Sequence, residues 1–340
     1  MSNRRMSMVE ALREAIREEM RRDETVFVLG EDVGIPKGFG GAFTVTLGLS
    51  DEFGHQRILD TPISEAGIAG LAIGAAISGL RPILDTQYSD FLFCMADQLI
   101  NQAGKLSYMS GGTVQVPIVV RSAVGASGRG AQHGQVPSGF FTHAPGWQVV
   151  TPGTPYDAKG LLKTAVRSNN PVIVFEHKKL YAAKGIRSQP GSLTVVDDIP
   201  DEDYAIPFGQ AKISRPGTDV TIVANLLMLH HALRAAETLA TEGVSAEVID
   251  PRTLVPFDYD TVVSSVRKTG HLILVDEDNR TGSWTADIAA ETATRAFDYM
   301  DSPIVRVTAP DTPVPFAPPM EGFYVPSPER IATAVRGILD

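Results

Sequence analysis

Cysteine is almost missing from this sequence: Cys94 is the single one in 340 residues. One thiol cannot close a disulfide within the chain, which fits a reducing, cytoplasmic setting. Long apolar runs are missing as well. The longest, residues 68–80, is closed by Arg81 and is too short to cross a bilayer. No apolar segment follows Arg4 and Arg5, so a secretory leader is not expected. Positive charge is in deficit. The net charge of −10 argues against nucleic acid or an anionic membrane as the main partner. The glycine-rich stretch at 34–41 lacks the Lys-Ser/Thr ending of a P-loop and the full Gly-x-Gly-x-x-Gly spacing, so flexible connection is its first reading. The length suffices for two separate cores.

What is present is a repeated strand–helix rhythm. Val9, Leu12, Ile16 and Met20 recur at helical spacing over residues 8–22, and Val26-Phe-Val-Leu-Gly30 follows as a buried strand. Residues 81–91 read as a strand with a polar, aromatic end, and 91–108 as a helix. Further strands are expected at 116–120, 148–150 and 172–175, with a helix at 156–167. A second such series gives strands at 220–224, 246–249, 271–275 and 304–307. Helices are expected at 231–243, 259–269 and 286–297, then a Pro-rich stretch and a C-terminal helix. The fold class is α/β, with two parallel-sheet domains. The division runs 1–185 and 206–340, joined by a polar linker at 186–205 that carries Pro190, Gly191 and Pro200. In such sheets functional groups collect at the carboxyl ends of strands. Glu31, Gln87, Phe91 and His133 all fall there.

The stretch Asp60-Thr-Pro-Ile-Ser-Glu65-Ala-Gly opens an almost wholly apolar helix. Ser64 or Thr61 can cap it. Gly67, Gly70 and Gly74 leave one face nearly bare, so another backbone can approach closely. Glu65 at the head of such a helix is either a solvated first-turn carboxylate or a buried group in need of a partner.

These motifs together resemble a family. Leu-Gly-Glu31-Asp-Val-Gly, Asp60-Thr-Pro-Ile-Ser-Glu65-Ala-Gly, Asp97-Gln-Leu-Ile-Asn-Gln-Ala, Ala131-Gln-His133-Gly-Gln, Asn170-Pro-Val-Ile-Val-Phe-Glu-His-Lys and Val248-Ile-Asp-Pro-Arg-Thr-Leu are long and ordered. Over nearly its full length the chain resembles the beta subunit of the thiamine-diphosphate-dependent E1 component of 2-oxo-acid dehydrogenase complexes. The resemblance implies a transketolase-like pyrimidine-binding domain followed by a transketolase C-terminal domain. It implies that Glu65 hydrogen-bonds N1′ of the cofactor's aminopyrimidine and favours the tautomer that activates C2. Burial would ease that proton sharing. Glu31, Ile63, Gln87 and Phe91 match positions around the same ring. His133 matches a residue on the substrate side, in proton handling or transfer to the lipoyl group. The other histidines carry no such motif and read as scaffold. Ile118, Ala165, Val166, Ser168 and Asn170 match a potassium site, although Ser168 stands where the family commonly has Asp.

The Gly-Asp-Gly…Asn motif that holds Mg²⁺ and the diphosphate in this superfamily is absent. The resemblance implies that an alpha subunit supplies it in an α2β2 heterotetramer, with a lipoylated E2 acyltransferase as the next partner. Residues 141–146, 203–209 and 312–316 lean toward acetoin dehydrogenase beta chains, while 276–284 departs from the versions expected. The alternatives are half of a transketolase-type ketol transferase or synthase without a lipoyl partner, and a non-catalytic subunit. Retention of Glu65 and His133 speaks against the last.

Overall fold

The computed structural model describes residues 4–181 and 191–340. The first strand, β1 (Arg4–Ser7), runs into helix α1 (Met8–Arg22), whose start is fixed by a capping box between Ser7 and Glu10. Then come β2 (Val26–Gly30), α2 (Leu49–Phe53), β3 (Ile58–Asp60), α3 (Glu65–Ile77) and β4 (Arg81–Tyr88). An irregular helical stretch and the short α4 (Leu106–Met109) lead to β5 (Val119–Val124), α5 (Ser138–His143), β6 (Gln148–Val150), α6 (Pro155–Arg167) and β7 (Val172–His177).

The second half contains β8 (Val196–Ile199), β9 (Lys212–Arg215), β10 (Val220–Ala224), α7 (Leu226–Ala240), β11 (Ala246–Asp250), β12 (Thr253–Val255) and α8 (Tyr259–Thr269). It ends with β13 (Leu272–Asn279), α9 (Trp284–Ala296), β14 (Val305–Ala309), α10 (Pro318–Tyr324) and α11 (Pro328–Leu339).

Two parallel sheets result. The first has seven strands in the order β12-β6-β7-β5-β4-β2-β3, parallel except for β12 at its edge. The second has five, β14-β13-β10-β11-β9, parallel except for β9. Each central strand is buried on both faces, so its side chains feed two cores in turn. In β2, Val26 and Val28 join the core under α1 and α6, while Phe27 and Leu29 join the one under α3.

Three differences from the sequence reading matter. Residues 91–108 are not one helix. A 3-10 segment (Ser89–Met95) is followed by a π-helix (Asp97–Ala103) and then α4. Within the expected linker, Val196–Ile199 pairs antiparallel with β1; its residues 186–190 lie outside the described part. Finally, β12 belongs by sequence to the second half but completes the first sheet, with Thr253 opposite Val150.

Candidate active site

Chain order and strand order diverge at β2. From β2 the chain crosses to β3 on one side, then returns to β4 on the other. That reversal opens a crevice at the carboxyl ends of β2 and β4, the place where open α/β sheets bind ligands. Glu31 leaves β2 there, and Gln87 lies at the end of β4. The Gln87 side-chain amide donates to the main-chain oxygen of Glu31 at 2.8 Å, bridging the crevice. Gln87 holds φ +54°, a left-handed conformation costly for a residue with a side chain, and such strain collects at functional sites.

Acid groups converge on this crevice. Burial raises the Glu31 carboxyl above its ordinary value, and Glu65, Asp32, Asp60 and Asp85 raise it further by repulsion. Glu31 and Glu65 are therefore neighbours, although 34 positions separate them in sequence.

The start of α3 differs from expectation. Ser64 occupies the cap position but its side chain makes no capping bond, and the Thr61 hydroxyl is buried without a hydrogen-bond partner. Neither residue caps the helix. Glu65 is only half-buried, because the face of α3 it heads is open: Leu71 is 48% exposed and Ile77 50%, while Ile68, Ala72 and Ile73 pack inward. Ile63, just before, is 81% exposed.

Beneath the crevice, Arg121 on β5 bonds both oxygens of Glu176 on β7 at 2.8 and 2.6 Å, and Asp85 on β4 at 2.9 Å. The Tyr181 hydroxyl donates to Glu176 at 2.7 Å. This buried network ties three strands together and takes up one of the acids that press on Glu31. Sequence reading missed it; no local pattern marks a pair 55 residues apart.

His133 comes from the loop after β5. Its ring stands edge-on to Tyr88 at 4.7 Å and to Phe91 at 5.4 Å. With Ser127, Gly128, Arg129 and Phe316 it lines a groove beside the crevice. Tyr88 and Phe316 were not anticipated as site residues. Lys178, the last residue of the Asn170 motif, donates through its ammonium to the His133 main-chain oxygen. Burial pushes the Lys178 amine down to about 8, against the pull of Asp90 and Glu277. Glu31, Glu65 and Gln87 thus form one group, and Phe91 and His133 a second.

The residues matched to a potassium site also come together. Ile118 O accepts from Val172 N at 2.9 Å, and Ala165, Val166 and Ser168 end α6. The main-chain oxygens of Val166 and Ser168 both accept from the Arg81 guanidinium, at 3.0 and 2.8 Å. Among the described residues no group of three His, Cys, Asp or Glu could hold a metal ion. No described helix is long and apolar enough to cross a membrane.

A parallel sheet with its acids at the switch point, joined to a second α/β unit, defines a class. Residues 4–184 match the family model for the transketolase pyrimidine-binding domain, and 209–331 that for the transketolase C-terminal domain. A solved split-gene transketolase, described as an inactive beta4 tetramer, superposes with TM-score 0.77 over 98% of both chains; at 21% identity it speaks for the fold alone. The chain belongs to the E1 beta-subunit family of acetoin and 2-oxo-acid dehydrogenases. It is 47% identical to the beta subunit of acetoin:2,6-dichlorophenolindophenol oxidoreductase of Cupriavidus necator, over 98% of this chain and 97% of that one. The Bacillus subtilis protein of the same name is 45% identical, over 98% and 97%. The 2-oxoisovalerate dehydrogenase beta subunit of Bacillus subtilis is 41% identical, over 98% and 99%. These names favour a dehydrogenase component over the ketol-transferase alternative.

Proposed function

We propose that the crevice between β2 and β4 receives the aminopyrimidine of thiamine diphosphate, and that the chain serves as the beta subunit of an acetoin-cleaving E1. The convergence of Glu31, Glu65 and Gln87 on the switch point carries this reading. The residues fit the group. A buried Thr61 hydroxyl lacks a partner, the first turn of α3 is uncapped, and the Ile63 side chain is free to cover a ligand. When bound, thiamine diphosphate supplies an acidic C2–H and an electron sink for carbon–carbon cleavage.

This chain's own residues do the rest. Glu65 holds a shared proton at pyrimidine N1′. Gln87 and Glu31 complete the polar edge, and Phe91 covers an apolar face. His133 holds or moves a proton at the substrate oxygen, with Tyr88 and Phe91 excluding water from that side. Arg81 already brings positive charge to two carbonyls of the potassium set.

An alpha subunit would supply Mg²⁺ and the diphosphate anchor in an α2β2 assembly, and a lipoylated E2 would take the acyl group. A cytoplasmic location and a division at 1–185, 186–205 and 206–340 complete the proposal. The test uses the enzyme reconstituted with its alpha chain. Glu65→Gln is expected to slow C2 hydrogen–deuterium exchange by about 100-fold or more with the fold unchanged. His133→Ala is expected to spare exchange and impair acceptor-dependent turnover. Wild-type exchange in the Glu65 variant would overturn the assignment.

A further inference from the structure

The loop that carries His133 (residues 125–134) hangs from the first sheet, but two of its amides are held by the second domain. Glu277, at the end of β13, accepts from Ala126 N at 2.6 Å. Its other oxygen takes His177 Nε2 at 2.8 Å. His177 Nδ1 accepts the Lys179 N–H at 3.1 Å, which leaves Nε2 to donate to Glu277. Glu321, on α10, repeats the arrangement. One oxygen accepts from Gly128 N at 2.6 Å and the other from Lys179 Nζ at 3.1 Å. Both carboxylates are buried, at 3% and 7% exposure. Each therefore links a loop amide to a side chain at or just past the end of β7.

The loop leaves little slack between these ties. Gly125 has φ +93°, and a Cβ there would lie 1.9 Å from His177 Nε2. A Cβ on Gly134 would lie 2.8 Å from Val314 of the second domain. Lys178, between His177 and Lys179 in the chain, closes the frame by bonding the His133 main-chain oxygen. Carboxylate-to-amide bonds are charge-assisted and among the stronger ones, and burial strengthens them further.

We propose that Glu277 and Glu321 are positioning residues for His133: from the second domain they hold the amides of Ala126 and Gly128, and so set where the imidazole stands. Neither carboxylate lines the groove, and both act through the loop backbone. This inference rests on the reading of His133 given above, and it gives the C-terminal domain a part in the chemistry beyond assembly.

Glu321 is the better place to test it, because its helix is short and lies near the surface. In the reconstituted enzyme, Glu321→Ala removes the acceptor for Gly128 N–H, while Glu321→Gln keeps an oxygen there and loses only the charge toward Lys179. Glu321→Ala is expected to lower acceptor-dependent kcat by 10-fold or more, with KM and C2 exchange within about twofold of wild type. Glu321→Gln is expected to recover most of that loss. Hydrogen-exchange mass spectrometry should find residues 125–134 less protected in the Ala variant alone. A purely structural ion pair would make the two variants equally impaired, and that result overturns the proposal. So does wild-type turnover in Glu321→Ala alongside an impaired His133→Ala. If His133→Ala itself turns over normally, the reading of His133 fails first and the positioning role falls with it.

Discussion

Within the crevice, the environment of Glu31 works against its charge. Its carboxyl is raised above the ordinary 4.5 by burial and then by four neighbouring acids. The sign for stability follows directly. Between 4.5 and the raised folded value the native state holds more protons than the unfolded chain, so stability falls as pH rises through that window. Above it the penalty is complete. Glu31→Gln is therefore expected to raise the melting temperature at pH 7.5 and to change it little at pH 4. A variant that melts lower at pH 7.5 would mean that Glu31 is held by attraction instead. The same repulsion suits a site that waits for a ligand: a proton donor arriving at the crevice relieves it.

At the scale of elements, α3 and the three riveted strands behave in opposite ways. The glycines of α3 cost about 1 kcal/mol each relative to alanine. A Cβ on Gly74 would meet nothing within 4 Å, and one on Gly70 only Gln98 at 4.0 Å, so packing within this chain does not require glycine at these two positions. Gly70→Leu should leave the isolated chain as stable as before or slightly more so. It should weaken association with the alpha subunit at least 10-fold by size-exclusion titration; unchanged association would put that contact elsewhere. Arg121→Met, by contrast, strands Glu176 and Asp85 inside the sheet. A loss of about 3–5 kcal/mol in urea unfolding is expected, and a loss under about 1 kcal/mol would deny the network its structural weight.

The elements also mark what a sequence can tell. The α1 stripe of Val9, Leu12, Ile16 and Met20 was legible because one face is wet and the other dry. So was α8, which begins and ends where its pattern does. The start of α7 was not, because Leu226 to Leu229 are all buried and show no period. The π-helix was invisible for another reason. Leu99 O is shared by Gly104 N at 3.0 Å and the Trp147 indole at 3.0 Å, and a bond from 48 residues away cannot be read locally. The site divides likewise. Candidates for it could be named from motif resemblance, but the acid repulsion at Glu31 and the carboxylate ties on the His133 loop arise only when distant segments meet.

Over the whole molecule, charge is uneven. From residue 206 onward 18 acidic residues face 11 basic ones, a surplus of seven negative charges against three in the part before. A basic docking module on E2 would find this end favourable, and Asp340 at the close of α11 adds to it. Affinity for E2 is expected to weaken several-fold between 50 and 200 mM salt, and deletion of residues 338–340 to weaken it further without touching cofactor binding. Indifference to both, in a calorimetric titration, would leave the surplus as a solvating face.

The antiparallel strand β12 bears on how this protein could ever be divided. It enters the first sheet from residues 253–255, and next to it Arg252 bonds the buried Asp157 at 2.6 Å. A gene cut in the linker would thus leave β6 with an open row of amides and carbonyls, and Asp157 with no counter-charge. Exposed edges of that kind recruit other chains into aggregates. The two halves look like modules on paper, yet they share a seam, and a workable fragment of the first would have to carry its own replacement for three residues that lie about fifty positions beyond its end.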